Sequence, residues 1–117
     1  MRPGETSDSS VDIRIRDVGA HRVVYLRGDL SMTTAPAIEH SLRSTLLSRE
    51  LSLVLDLGEV EMIDSSGLGA LVSWRQRIQE AGGTIRLMRV PTSLLTLLRL
   101  TQMEDRFQML ESEEGLS

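Results

Sequence analysis

The chain has 117 residues, a net charge of −4, 40% apolar residues and 26% charged residues, which suits one domain around a single core and argues against a disordered chain. It contains neither cysteine nor lysine, which removes disulfides, thiolate nucleophiles, Cys-ligated metals, Schiff-base lysines and the P-loop lysine together. The acidic balance, with one Phe, one Tyr and one Trp, argues against nucleic acid, which needs a basic face or a stacking platform.

No stretch approaches the roughly 18 apolar residues that cross a bilayer. The opening MRPGETSDSS lacks the apolar h-region of a secretory signal. A cytoplasmic protein with no membrane contact is therefore expected. Residues 1–10 read as a disordered N-terminal tail and 111–117, ESEEGLS, as a C-terminal tail, leaving one domain over 11–110. His21 and His40 are the only histidines and lack His-x-x-x-His spacing, so no metal or cofactor is expected.

Val11, Ile13 and Ile15 alternate with Asp12, Arg14 and Arg16, the period of a half-buried strand. Asp17-Val18-Gly19-Ala20 is turn chemistry, and residues 22–27, RVVYLR, form the hairpin partner. Gly28-Asp29-Leu30-Ser31-Met32 reads as a loop. Thr33 or Thr34 then caps a helix over roughly 34–49, with Pro36 in its first turn and Ala35, Ile38, Leu42 and Leu46 on its apolar stripe. Leu51–Leu57 is apolar at nearly every position, which suits a central strand, and 58–63 reads as a connector.

Asp64-Ser65-Ser66 opens a second helix with Leu68, Leu71, Val72 and Ile78 on one face, ended by Ala81-Gly82-Gly83. Trp74 falls between that stripe and the polar face, so partial burial is expected. Residues 84–90 form a strand, Pro91 starts a leucine-rich third helix, and 103–110 adds a short edge element. The third helix has more leucine than one stripe needs, so some of it should be exposed. The order β-β-α-β-α-β-α gives an α/β fold: a mixed, mostly parallel sheet of four to five strands with helices packed against it.

Chemistry concentrates in Asp64-Ser65-Ser66-Gly67-Leu68-Gly69. One reading is a plain cap, Asp64 or Ser65 accepting an N–H of the first turn. Two glycines in the first turns cost about 0.8–1 kcal/mol each against alanine, which points to a close backbone approach. A helix start also favours an added anion, so a phosphate on Ser65 would be tolerated there. An enzyme reading is poor. Val72 stands where a dinucleotide loop needs its third glycine, Ser65 lacks Gly-x-Ser-x-Gly flanks, and both histidines read as solvated surface residues. Met62, just before the motif, reads equally as a core plug or an adaptable contact.

Met62-Ile63-Asp64-Ser65-Ser66-Gly67-Leu68-Gly69-Ala70-Leu71 resembles the signature of the STAS-domain anti-sigma factor antagonists (anti-anti-sigma factors). Gly28-Asp29-Leu30, Thr34-Ala35-Pro36-Ala37, Leu53–Leu57, Gly82-Gly83 and Pro91 are similar to other family features, so the likeness spans about residues 11–110. The resemblance implies a non-enzymatic phosphoprotein that regulates transcription by partner switching. Unphosphorylated, it binds a GHKL-type anti-sigma factor that is also a serine kinase, and so frees a sigma factor. Phosphorylation at Ser65 ends that binding and a serine phosphatase reverses it. The implied partner surface comprises Asp29, Ser31 and Met32 of the loop, Met62, and Asp64, Ser66, Gly67, Leu68 and Gly69. Ser31 stands where many members carry an acid, which alters what this loop can offer a kinase or nucleotide. A homodimer is compatible with the sequence. The competing reading is a non-switching STAS subunit of a transporter or sensor assembly.

Overall fold

The computed structural model describes residues 11–47 and 52–116; the expected N-terminal tail, Leu51 and Arg49 lie outside them. The chain runs β1 Val11–Val18, β2 His21–Leu30, α1 Ala35–Leu47, β3 Ser52–Ile63, α2 Ser65–Glu80, β4 Thr84–Met88, α3 Thr92–Leu100 and β5 Gln108–Leu110, with short 3-10 turns at Glu104–Arg106 and Glu113–Leu116. The five strands form one sheet in the order β1-β2-β3-β4-β5. β1 is antiparallel to β2, and the three remaining pairings are parallel. This is the mixed α/β fold the element order predicts. Gly19 makes the hairpin turn at φ +60°, a conformation that costs glycine nothing.

β3 is central, and Leu53 to Leu57 are buried at five successive positions because both faces of the sheet are covered there. The expected loop at Gly28–Met32 and the expected connector at 58–63 are corrected. β2 runs on to Leu30 and β3 to Ile63, with Gly28 opposite Val60, Asp29 opposite Met62 and Leu30 opposite Ile63. Register shifts between Tyr25 and Arg27 and between Gly28 and Asp29 break the alternation that would reveal a strand. Beyond the end of β4 this two-strand extension meets solvent, which is why Glu59 and Glu61 fit in it.

α1, α2 and α3 pack on one face against Val24, Leu26 and Leu30 of β2, Leu53, Leu55 and Leu57 of β3, and Ile85 and Leu87 of β4. Trp74 is wholly buried here, not partly as expected. Its Nε1–H donates to Glu39 Oε1 of α1 at 3.2 Å, which satisfies the indole and permits full burial. Leu94 and Leu98 face the core while Leu100 is exposed, as the leucine surplus requires. On the opposite face a second, smaller apolar group joins Val23, Val54 and Met88 to Leu116. The C-terminal segment is thus no free tail: Glu113–Leu116 makes a 3-10 turn whose last residue is buried on the sheet.

Candidate functional site

The site forms where the ends of β2 and β3 meet the start of α2. Asp64 is extended (φ −110°, ψ −178°) and is the N-cap of α2. Its Oδ1 accepts the Gly67 N–H at 2.8 Å and its Oδ2 accepts the Met32 N–H at 3.2 Å. Its own N–H donates to the Leu30 carbonyl at 3.3 Å, and its carbonyl accepts from Leu68 N–H at 3.0 Å. One aspartate therefore caps the helix and ties it to the loop after β2. The Gly67 N–H holds the Asp64 carboxyl below its ordinary range; partial burial opposes this, and the N–H groups of Met32 and Ser66 add to it.

The two glycines have different reasons. A Cβ on Gly67 would overlap the Leu30 carbonyl oxygen and lie 2.8 Å from its carbonyl carbon, so the helix start and the end of β2 touch backbone to backbone. This is the close approach that the helix-breaking cost predicts. A Cβ on Gly69 would meet nothing within 4 Å, so no contact inside the fold requires that glycine.

The loop after β2 is organised by Thr34. Its Oγ1 accepts the Ser31 N–H at 3.0 Å and donates to the Asp29 carbonyl at 2.8 Å. The hydroxyl points back into the loop, and the N–H of Ala35 reaches the Ser31 carbonyl at 2.8 Å. The expected capping hydroxyl of α1 is thus spent on fixing the loop beside Asp64.

The sequence-predicted residues sort by accessibility. Ser65 and Ser66 lie exposed on the first turn of α2, and among the described residues no side chain bonds the Ser65 hydroxyl. Met32 is 72% exposed and Met62 48%, so Met62 is not a core plug. Gly69 is exposed, and Asp29 and Asp64 are half-buried. Ser31, Gly67 and Leu68 are buried, so in the free chain they shape the surface from below. Ser31 Oγ lies 3.3 Å from Thr33 Oγ1, inside the loop, where an acid would be a buried charge.

Neither histidine serves this site. His40 is exposed on α1. His21 begins β2, at the strand end opposite Leu30, with Nδ1 2.7 Å from Ser52 Oγ and 3.2 Å from Arg86 Nη2. His21 is half-buried in that group, which corrects its reading as a solvated residue. Among the described residues no cluster of three His, Asp or Glu could hold a metal, and no helix is long and apolar enough to cross a membrane.

The chain is 27% identical over 96 residues to the anti-sigma-B factor antagonist of Listeria monocytogenes, covering 82% of this chain and 83% of that one. Its fold matches an anti-sigma factor antagonist from Mycobacterium paratuberculosis with a TM-score of 0.76 at 23% identity, over 93% of this chain and 92% of that one. It also matches the Bacillus cell fate determinant SpoIIAA in its phosphorylated form, with a TM-score of 0.69 at 15% identity over 89% and 95% of the two chains. The family model described as Mlab, STAS domain, matches residues 13–111, and the chain belongs to the STAS-domain family.

Proposed function

We propose that this chain is a cytoplasmic anti-sigma factor antagonist whose state is set by phosphorylation of Ser65. The observation that carries the reading is the position of Ser65. It is exposed at the first residue of α2, bonded by no described side chain, while Asp64 already performs the capping. A structural serine would share that work; this one is free for a kinase. Met32 and Met62 expose apolar, adaptable side chains on the two segments joined to Asp64, which suits a protein contact. The name of the Listeria relative and the phosphorylated state of SpoIIAA support the same reading.

In this reading the unphosphorylated chain docks Met32, Met62 and the exposed start of α2 on a GHKL-type anti-sigma factor and so frees a sigma factor. The anti-sigma factor is also the kinase, and a serine phosphatase restores the active form. Phosphorylation adds about −1.5 to −2 charges to a surface that already holds Asp64 and, opposite Met62, Asp29. In the free protein water screens that charge. In the complex the water is lost and the phosphate faces a site built to hold ATP phosphates, so like charges meet. The penalty falls on the complex alone, which is what a switch requires.

The acceptor is tested by incubating the protein with ATP and the purified kinase and mapping the peptides. The phosphate should be on Ser65 and absent from Ser65→Ala. Phosphate on Ser66 contradicts the assignment, and no incorporation favours a non-switching subunit.

A further inference from the structure

The described residues cover the two faces of the sheet very unequally. Three helices cover one, whereas Val23, Val54 and Met88 on the other are closed by Leu116 at the end of one 3-10 turn. Glu113 begins that turn. Its carboxylate takes a two-toothed ion pair from Arg16 Nη2 at 2.9 and 3.0 Å and accepts the Tyr25 hydroxyl. Glu113 and Leu116 are three residues apart, so in a 3-10 turn they project to the same side, one to the arginine rim and one to the apolar centre.

The cover is a single short turn. The Arg16–Glu113 pair is open to solvent on both sides, and such pairs contribute little. Leu116 is the turn's one buried residue, and Glu111 and Ser112, which lead into the turn, are exposed. Lifting the turn would bare an apolar patch at the middle of a sheet, a feature that marks interaction surfaces. The rim is also charged beyond what the turn offsets. Arg14 and Arg86 face the same side as Arg16, because Arg14 is opposite Tyr25 and Arg86 is opposite Val54. Among the described residues neither has an acidic partner; Arg86 reaches only His21.

We propose that this face, which carries no helix among the described residues, is a second docking surface, for an acidic turn of the form Glu-x-x-Leu on a partner protein, and that residues 113–116 occupy it in cis as a displaceable cover. The chain's own turn shows the fit, and the arginines left over give an incoming segment with additional acids an advantage over the cover. The surface lies across the sheet from α2, so its use does not depend on Ser65.

The probe is a labelled peptide of residues 111–117, ESEEGLS, titrated into the full chain and into the full-length Glu113→Gln, Leu116→Ala double variant. The double variant should bind at least tenfold more tightly than the unmodified chain, where the tethered turn competes at an effective concentration of about millimolar. Adding Arg16→Glu should lower that binding at least tenfold. If the double variant does not fold, Glu113→Gln alone, which keeps Leu116, should still bind at least threefold more tightly than the unmodified chain. Equal affinity for closed and opened chains, no saturable binding at millimolar peptide, or indifference to Arg16→Glu overturns the proposal.

Discussion

The carbonyl group of Leu30, the last residue of β2, occupies the space that a side chain on Gly67 would need. That contact fixes the angle at which α2 leaves the sheet, and with it the position of Ser65. Gly67→Ala must push the end of β2 away from the helix and should cost about 1–3 kcal/mol, the range for overpacking. Gly69→Ala meets open space and removes a helix-breaking residue, so it should stabilise by about 0.5–1 kcal/mol. Urea denaturation of the two variants checks the pair. Equal effects would mean that the helix start is not seated as described.

Asp64 makes stability depend on acid. Its folded pKa is depressed, so its contribution is complete above the unfolded value, about 3.9, and is lost as pH falls through the folded value. Asparagine also caps helices but does not titrate in this range. Asp64→Asn should therefore be less stable than the parent at pH 7, with the gap closing below pH about 4. Asp64→Ala should lose about 0.5–2 kcal/mol at neutral pH, as cap removal does. Denaturation curves from acid to neutral pH measure both, and a gap that does not change with pH would contradict the role given to the carboxylate.

A negative charge at Ser65 should barely change the fold. The helix start favours an anion by about 0.3–1 kcal/mol at an exposed position. Asp64 already uses the Gly67 N–H and repels the newcomer, so the two effects offset. Ser65→Asp should melt within a few degrees of the parent in a thermal scan. A large loss would mean that the Ser65 side chain is not exposed.

The parts legible in the sequence were those with one dominant cause. The apolar run Leu53–Leu57 announced a central strand, and Asp64 before two serines and two glycines announced a helix start under a close contact. The pairing of Asp29 with Met62 was hidden because the bulges before it disrupt the two-residue period. The full burial of Trp74 is not legible locally because it depends on Glu39, 35 residues away on another helix. Glu113–Leu116 read as a tail because charge and glycine mark solvent, and nothing local reveals Arg16 and Tyr25 waiting on the sheet. At the site, burial of Ser31, Gly67 and Leu68 divides the motif into residues that build the surface and residues that form it, a division that residue type alone does not carry.

In the proposed function one phosphate on Ser65 separates a binding state from a non-binding state. Calorimetric titration of the purified anti-sigma factor, with ADP present, compares the two forms directly. The unphosphorylated protein and Ser65→Ala should bind alike. The phosphorylated protein should bind about a hundredfold more weakly, a difference of about 2.7 kcal/mol. Equal affinity of the phosphorylated and unphosphorylated forms would contradict the account, even with the phosphate proven to lie on Ser65.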